Sequence, residues 1–231
     1  MKLNEMIAKN EIKESEAIIG YVGAFPYAEV ISGFSAFYLG AKSVCKSAVM
    51  KVRYTNSWYD EQLEKETAEK LINEDKCKII SQHADSQGAP NACESNSIPN
   101  VYYNGENKQL TNSYLISQKI DYKPFFKIFI ESTQNGLQMD YDYTGSLNDG
   151  SVIIYPASSI AAEGTQDAVN QAISDLKSGN IKVFQNLLLM AKHLLHIRLM
   201  LILMINSKKI LKLFQMVIFM NQNIEVLLTL I

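Results

Sequence analysis

Cysteine is scarce in this chain: Cys45, Cys77 and Cys93 are the only three among 231 residues. With no CxxC pair and no Cys/His cluster, a zinc finger and a disulfide-dense mini-protein are both excluded. At most one disulfide can form, and Cys77 with Cys93 is the pairing expected. An excess of positive charge is lacking too. The 22 Lys and Arg face 24 Asp and Glu, so no basic field recruits a phosphate backbone and no nucleic-acid partner is expected. Phosphate loops are missing, since neither GxGxxG nor GxxxxGK occurs, and no GxSxG nucleophile elbow is present. The glycine-bearing GSLNDGS (Gly145 to Ser151) reads as a turn entering a strand at Val152. Asp85 and Ser86 lie beside His83, but three near neighbours in sequence cannot form a triad by themselves. The lone His83 is read as a structural hydrogen-bonding residue, no catalysis is expected, and no cofactor is called for. The first twenty residues, MKLNEMIAKNEIKESEAIIG, have no apolar h-region, so neither a signal peptide nor a lipidation site is read there and the expectation is a cytosolic start.

Composition breaks after Phe184. The last 47 residues hold 13 Leu, 7 Ile and 5 Met, five basic residues and one acid, with no Gly, Pro, Asp or Tyr. A membrane-spanning helix needs about 20 predominantly apolar residues. The best window, Leu187 to Ile205, is interrupted by Lys192, His193, His196 and Arg198, each costly near a bilayer centre. The basic residues do not gather on one helical face, so a surface-lying amphipathic helix fits poorly as well.

Residues 17 to 184 carry ordinary globular patterning. Ile18 to Gly23 (IIGYVG) reads as a buried strand and about Ala28 to Lys42 as a helix. Met50 to Thr55 alternates as a strand does. Glu61 to Asn73 is read as a helix presenting Leu63, Ala68 and Leu71/Ile72 on one face. Lys78 to Gln82, Asn100 to Asn104, Ser113 to Ile120 and Ser151 to Tyr155 read as further strands. Helices are expected near Gly88 to Ser95, Tyr122 to Gln134 and Gly164 to Ser178. Strand and helix alternate at short intervals, the pattern of an α/β fold with a doubly wound parallel sheet and right-handed crossovers.

In open sheets of this kind ligands bind outside the carboxyl ends of the strands. The residues there are aromatic and polar: Phe25 and Tyr27 after the first strand, Trp58 to Asp60 after the second, His83 and Asp85 after the third, Asn104 and Glu106 after the fourth. Aromatic faces stack on flat or sugar-like ligands, and short polar groups fix orientation. Trp58 can equally be a core plug or a pocket rim. Asp140 and Asp142, at period-two spacing, are expected on the solvated face of an outer strand.

The stretches GYVGAFPYAEVISGFSAFYLGAKSV, YTNSWYDEQLEKETAEKLI and IISQHADSQGAPNACES, followed by VYYNG, GSLNDGSV and AAEGT, resemble the basic membrane protein (BMP/PnrA-type) family of ABC-transporter substrate-binding lipoproteins over about Leu3 to Phe184. The resemblance implies a type I periplasmic-binding fold, of which this chain carries mostly the second lobe. It implies capture of a small molecule, often a purine nucleoside, between two lobes, and delivery to a membrane permease by a protein held outside the cell membrane through a lipid anchor. Carried over position by position, the family's base-stacking phenylalanine falls on Pro90. Its acidic positions after the fourth strand fall on Asn104 and Glu106, its basic position on Gln118 or Lys119, and its ribose-binding acid near Asp140. Phe25 or Trp58 is expected to supply stacking instead, and Asp85 is read as a further ligand contact. The family places a segment resembling LKLNEMI inside the protein, so residues 1–17 are read as the remnant of a helix before the second lobe and 18–184 as a partial binding domain. Residues 185–231 are read as a frameshift product, and poor solubility with weak or absent ligand binding is expected of the chain, which without its leader would stay cytoplasmic. The alternatives are a type I sensor or regulator, or a membrane-tethered interaction protein if the tail is genuine.

Overall fold

A computed structural model describes residues 1–140 and 142–184, so the tail reading lies outside the described residues. A short helix α1 (Lys2–Ala8) and a 3-10 turn (Glu14–Glu16) lead into β1 (Ile18–Gly23). Then follow α2 (Ala28–Val44), β2 (Val49–Tyr54), α3 (Glu61–Asn73), β3 (Ile79–His83), α4 (Gly88–Asn96) and β4 (Asn100–Tyr102). The order closes with β5 (Tyr114–Ile120), α5 (Lys123–Gln134), β6 (Val152–Ile154) and α6 (Thr165–Ser178). The strands lie side by side as β2-β1-β3-β4-β5-β6. Neighbours from β2 to β5 run parallel.

The alternation of β1 divides the core. Ile19 and Tyr21 point into a cluster with Leu3 of α1, Val30, Phe37 and Ala41 of α2, and Val169 of α6. Val22, on the other face, packs with Ala68 and Leu71 of α3 and Ala89, Ala92 and Cys93 of α4. Helices therefore cover both faces, as a buried parallel sheet requires. Asp60 caps α3, its Oδ1 accepting the Leu63 amide at 2.9 Å, a contact worth about 1 kcal/mol. Gly88 opens α4 because nothing larger fits: a Cβ there would stand 2.0 Å from the carbonyl oxygen of Glu61.

Four readings are corrected by the fold. β6 runs antiparallel to β5, so the sheet is mostly rather than wholly parallel. Around Asp140 and Asp142 there is no strand; residues 135–140 and 142–151 are turns and irregular chain. All three cysteines are buried free thiols, and burial pushes Cys77 and Cys93 up to about 12, so the Cys77–Cys93 disulfide is not formed. On α3 the buried stripe is Glu64, Thr67, Ala68 and Leu71, turned from the expected face so that Leu63 and Ile72 flank it. No helix of the described residues is long and apolar enough to cross a membrane.

Candidate functional site

Strand order fixes where a ligand can sit. The chain leaves β1 for β2 on one side and enters β3 on the other, so the loops after β1 and β3 diverge and leave a crevice at their carboxyl ends. Aromatic side chains from four strand ends meet there. The rings of Phe25 and Tyr27 stack with centroids 4.9 Å apart and planes 8° from parallel. Trp58, from the β2–α3 loop, tilts against both at 5.6 and 6.2 Å. It also meets His83 in an edge contact, and His83 lies 4.5 Å from the ring of Tyr103. Tyr27 is 54% exposed and Trp58 37%, whereas His83 is 2% exposed. An accessible aromatic plate thus stands over a buried polar floor.

That floor is a short relay. His83 Nε2 is 2.9 Å from Tyr103 Oη and 3.6 Å from Glu29 Oε1. Both contacts fall on one ring nitrogen, so the tautomer with its proton on Nε2 satisfies them. His83 Nδ1 is buried and makes no hydrogen bond. The contact with His83 holds the Glu29 carboxyl below its usual value, and burial raises Tyr103 well above its own. The crevice therefore presents an anionic carboxylate beside a neutral phenol.

Backbone bonds lock the loops together. Asp85 donates its amide to the Trp58 carbonyl at 2.9 Å, and Ala24 donates to the His83 carbonyl at 3.1 Å. Thr55 Oγ1 donates to the Ser57 carbonyl at 2.8 Å. Further along the rim, Gln87 donates to Tyr102 Oη at 2.6 Å and accepts from Asn107 Nδ2 at 2.8 Å. Asn104 Oδ1 accepts the Ile120 amide at 3.1 Å.

Of the residues singled out from sequence, Phe25, Trp58 and Asp85 come together at the crevice. Asn104 and Glu106 follow Tyr103 in the β4–β5 connection, Asn104 spending its side-chain oxygen on the Ile120 amide and Glu106 standing 3.4 Å from Lys108. Lys119 is exposed on β5 opposite Ile153, and Asp140 is exposed in the irregular chain, both outside the aromatic cluster. Glu29 and Tyr103 belong to the crevice but were not picked out from sequence. Register was the available signal for Tyr103: two residues beyond Val101, it faces the same side as His83, two beyond Ser81. At the opposite end of the strands, a cavity of about 50 Å³ lined by Leu3, Ile19, Phe37, Val101 and Leu115 among others is too small and too apolar to compete.

This sheet order with a crevice at the β1/β3 switch defines one lobe of a type I periplasmic-binding fold. Among solved structures the chain is similar to an ABC transporter solute-binding protein from Conexibacter woesei, with TM-score 0.58 and 19% identity over 72% of this chain and 56% of that one. It is also similar to a transcriptional activator of the comK gene from Bacillus halodurans, with TM-score 0.57 and 20% identity over 75% and 60%. These likenesses establish the fold alone. Residues 12–120 match the model of the PnrA-like ABC transporter substrate-binding (Bmp) family. An ABC transporter glucose-binding protein of Haloferax volcanii, TsgA13, is 36% identical over 133 residues, 57% of this chain and 34% of its own length. A purine-binding protein of Brucella abortus is 42% identical over 74 residues, 32% of this chain and 21% of its own length. The chain thus spans about a third or less of the curated relatives it matches.

Proposed function

We propose that this chain carries one lobe's share of an ABC-transporter solute-binding site, acting by binding and release without covalent chemistry, with residues 18–184 as its binding domain. The observation that supports the reading most directly is the Phe25, Tyr27 and Trp58 plate at the β1/β3 crevice, beside Glu29 and Asp85. A plate of this kind suits a solute with a flat or ring-shaped apolar face and hydroxyl groups on its rim. A purine nucleoside has both, and a hexose shares the hydroxyls; the names of the Brucella and Haloferax relatives support those two classes. Of the candidate contacts, Phe25 and Trp58 would stack and Asp85 would accept a hydroxyl proton. Asn104, Glu106, Lys119 and Asp140 would contribute only if the ligand extends past the plate. The partner carried by this reading is a membrane permease, met on the extracytoplasmic side.

Trp58 is the single tryptophan, so its emission reports on this crevice. Titrating the full chain with adenosine, guanosine, inosine and glucose should produce a saturable emission change with one class. Unchanged emission and no heat of binding across the whole panel would sink the reading.

A further inference from the structure

One acidic side chain of α3 is used in a way that helix stability does not require. Glu64 is 0% exposed and lies in the stripe with Ala68 and Leu71, an apolar setting that is costly for a carboxyl group unless its hydrogen bonds are made. Its Oε1 accepts two backbone amides, from Asp60 at 3.2 Å and from Ser86 at 3.3 Å. The first bond resembles the reciprocal half of a helix cap, which an exposed Glu or Gln can make alone. The second reaches 22 residues along the chain to the β3–α4 loop. Asp60 ends the loop that carries Trp58, and Ser86 follows Asp85. The same two loops meet again where Asp85 donates to the Trp58 carbonyl and where Gly88 lies against Glu61. Ser86 Oγ in turn accepts the Gly88 amide at 3.1 Å, so the bond chain runs from the start of α3 to the start of α4 through Glu64 Oε1 and Ser86 Oγ.

We propose that Glu64 is a positioning residue for the crevice: its buried oxygen joins the two loops and holds Trp58 and Asp85 in one relative arrangement. The inference rests on the functional reading above for its consequence in binding, but the positioning itself is read without ligand. Charge is not what the tie requires. A Gln at this position keeps the accepting oxygen, whereas a Met fills similar volume and accepts nothing, leaving both amides to find other partners.

The test compares Glu64→Gln and Glu64→Met in the full chain, using acrylamide quenching of Trp58 and titration with adenosine and with glucose. Glu64→Gln should stay within about twofold of wild type in both readouts. Glu64→Met should expose Trp58 to quencher and weaken whichever probe binds by about tenfold, while its circular dichroism remains that of the wild type. Glu64→Met matching wild type would overturn the proposal, as would equal loss in both variants, which would mean that charge matters rather than the accepted bonds. If no probe binds wild type, the functional reading fails while quenching still decides the role of Glu64. Should Glu64→Met not fold, amide hydrogen exchange in the wild type decides: Asp60 and Ser86 should exchange together and slowly, and free exchange at either would overturn the tie.

Discussion

The indole of Trp58 and the imidazole of His83 meet edge to face, with centroids 6.3 Å apart and planes at 65°. One ring is the accessible reporter of the crevice and the other is its buried floor, so a change in the second should be visible in the first. His83→Gln should shift the emission of Trp58, and emission identical to wild type would contradict the contact.

Trp58→Ala removes the central plate. Stacking on an aromatic side chain is worth about 1 to 3 kcal/mol per base, so purine nucleoside affinity, measured calorimetrically because the reporter is lost, should fall about tenfold or more. Trp58→Phe should recover most of it. Equal affinity in Trp58→Ala and wild type would move the ligand away from this wall.

Gly88→Ala tests the close approach of α4 to α3. The added Cβ would stand 2.0 Å from a backbone oxygen that no side-chain rotation can move. The substitution should cost about 3 kcal/mol, the upper range for overpacking, as a lower midpoint in urea at unchanged slope.

Two carboxyls should give opposite pH dependences of stability. Burial is the largest influence on Glu64 and raises its pKa, so the native chain holds that proton more tightly than the unfolded one. Its contribution is full below the ordinary carboxylate value and is lost as pH rises through the raised one. Glu29 is lowered, first by its contact with His83, so its contribution is present above the ordinary value and is lost as pH falls through the depressed one. Because the Glu29 side chain is half exposed, solvent screening keeps that effect small. Urea melts through the acid range should lose the first dependence in Glu64→Gln and the second in Glu29→Gln.

The thiols should be inert in the native state. Cys77 and Cys93, buried and held near 12, present almost no thiolate at neutral pH, and alkylation should require unfolding. Rapid labelling of either in the folded chain would contradict the packing of the α3/α4 side.

Much of this architecture was legible because hydrophobic alternation and glycine endings mark buried strands clearly. Ile18–Gly23, Glu61–Asn73 and the crevice residues Phe25 and Trp58 could all be placed from the order of residues alone. The direction of β6 could not, since three residues pair as readily either way and only packing against β5 decides. The inward face of α3 was displaced for a related reason: Glu64 and Thr67 are polar, so an apolar pattern passes over them although they occupy the spacing of a buried stripe. Glu29 and Tyr103 were missed because their proximity to His83 is a matter of register across strands, which no local window contains. The expected disulfide failed for want of information about facing side chains, as Cys77 and Cys93 share one core cluster yet remain free.

The outermost strand, β2, has a consequence for solubility. Among the described residues it pairs on one side only, with β1, and an open row of amides and carbonyls invites a second molecule to extend the sheet. Its outward chemistry opposes that growth: Lys51 is exposed, and Arg53 is drawn across to Asp75 at 2.6 Å and Glu74 at 2.9 Å. A neighbour adding to β2 would have to desolvate a lysine and displace a charged bridge, so this border works as a gatekeeper against fibrillar assembly.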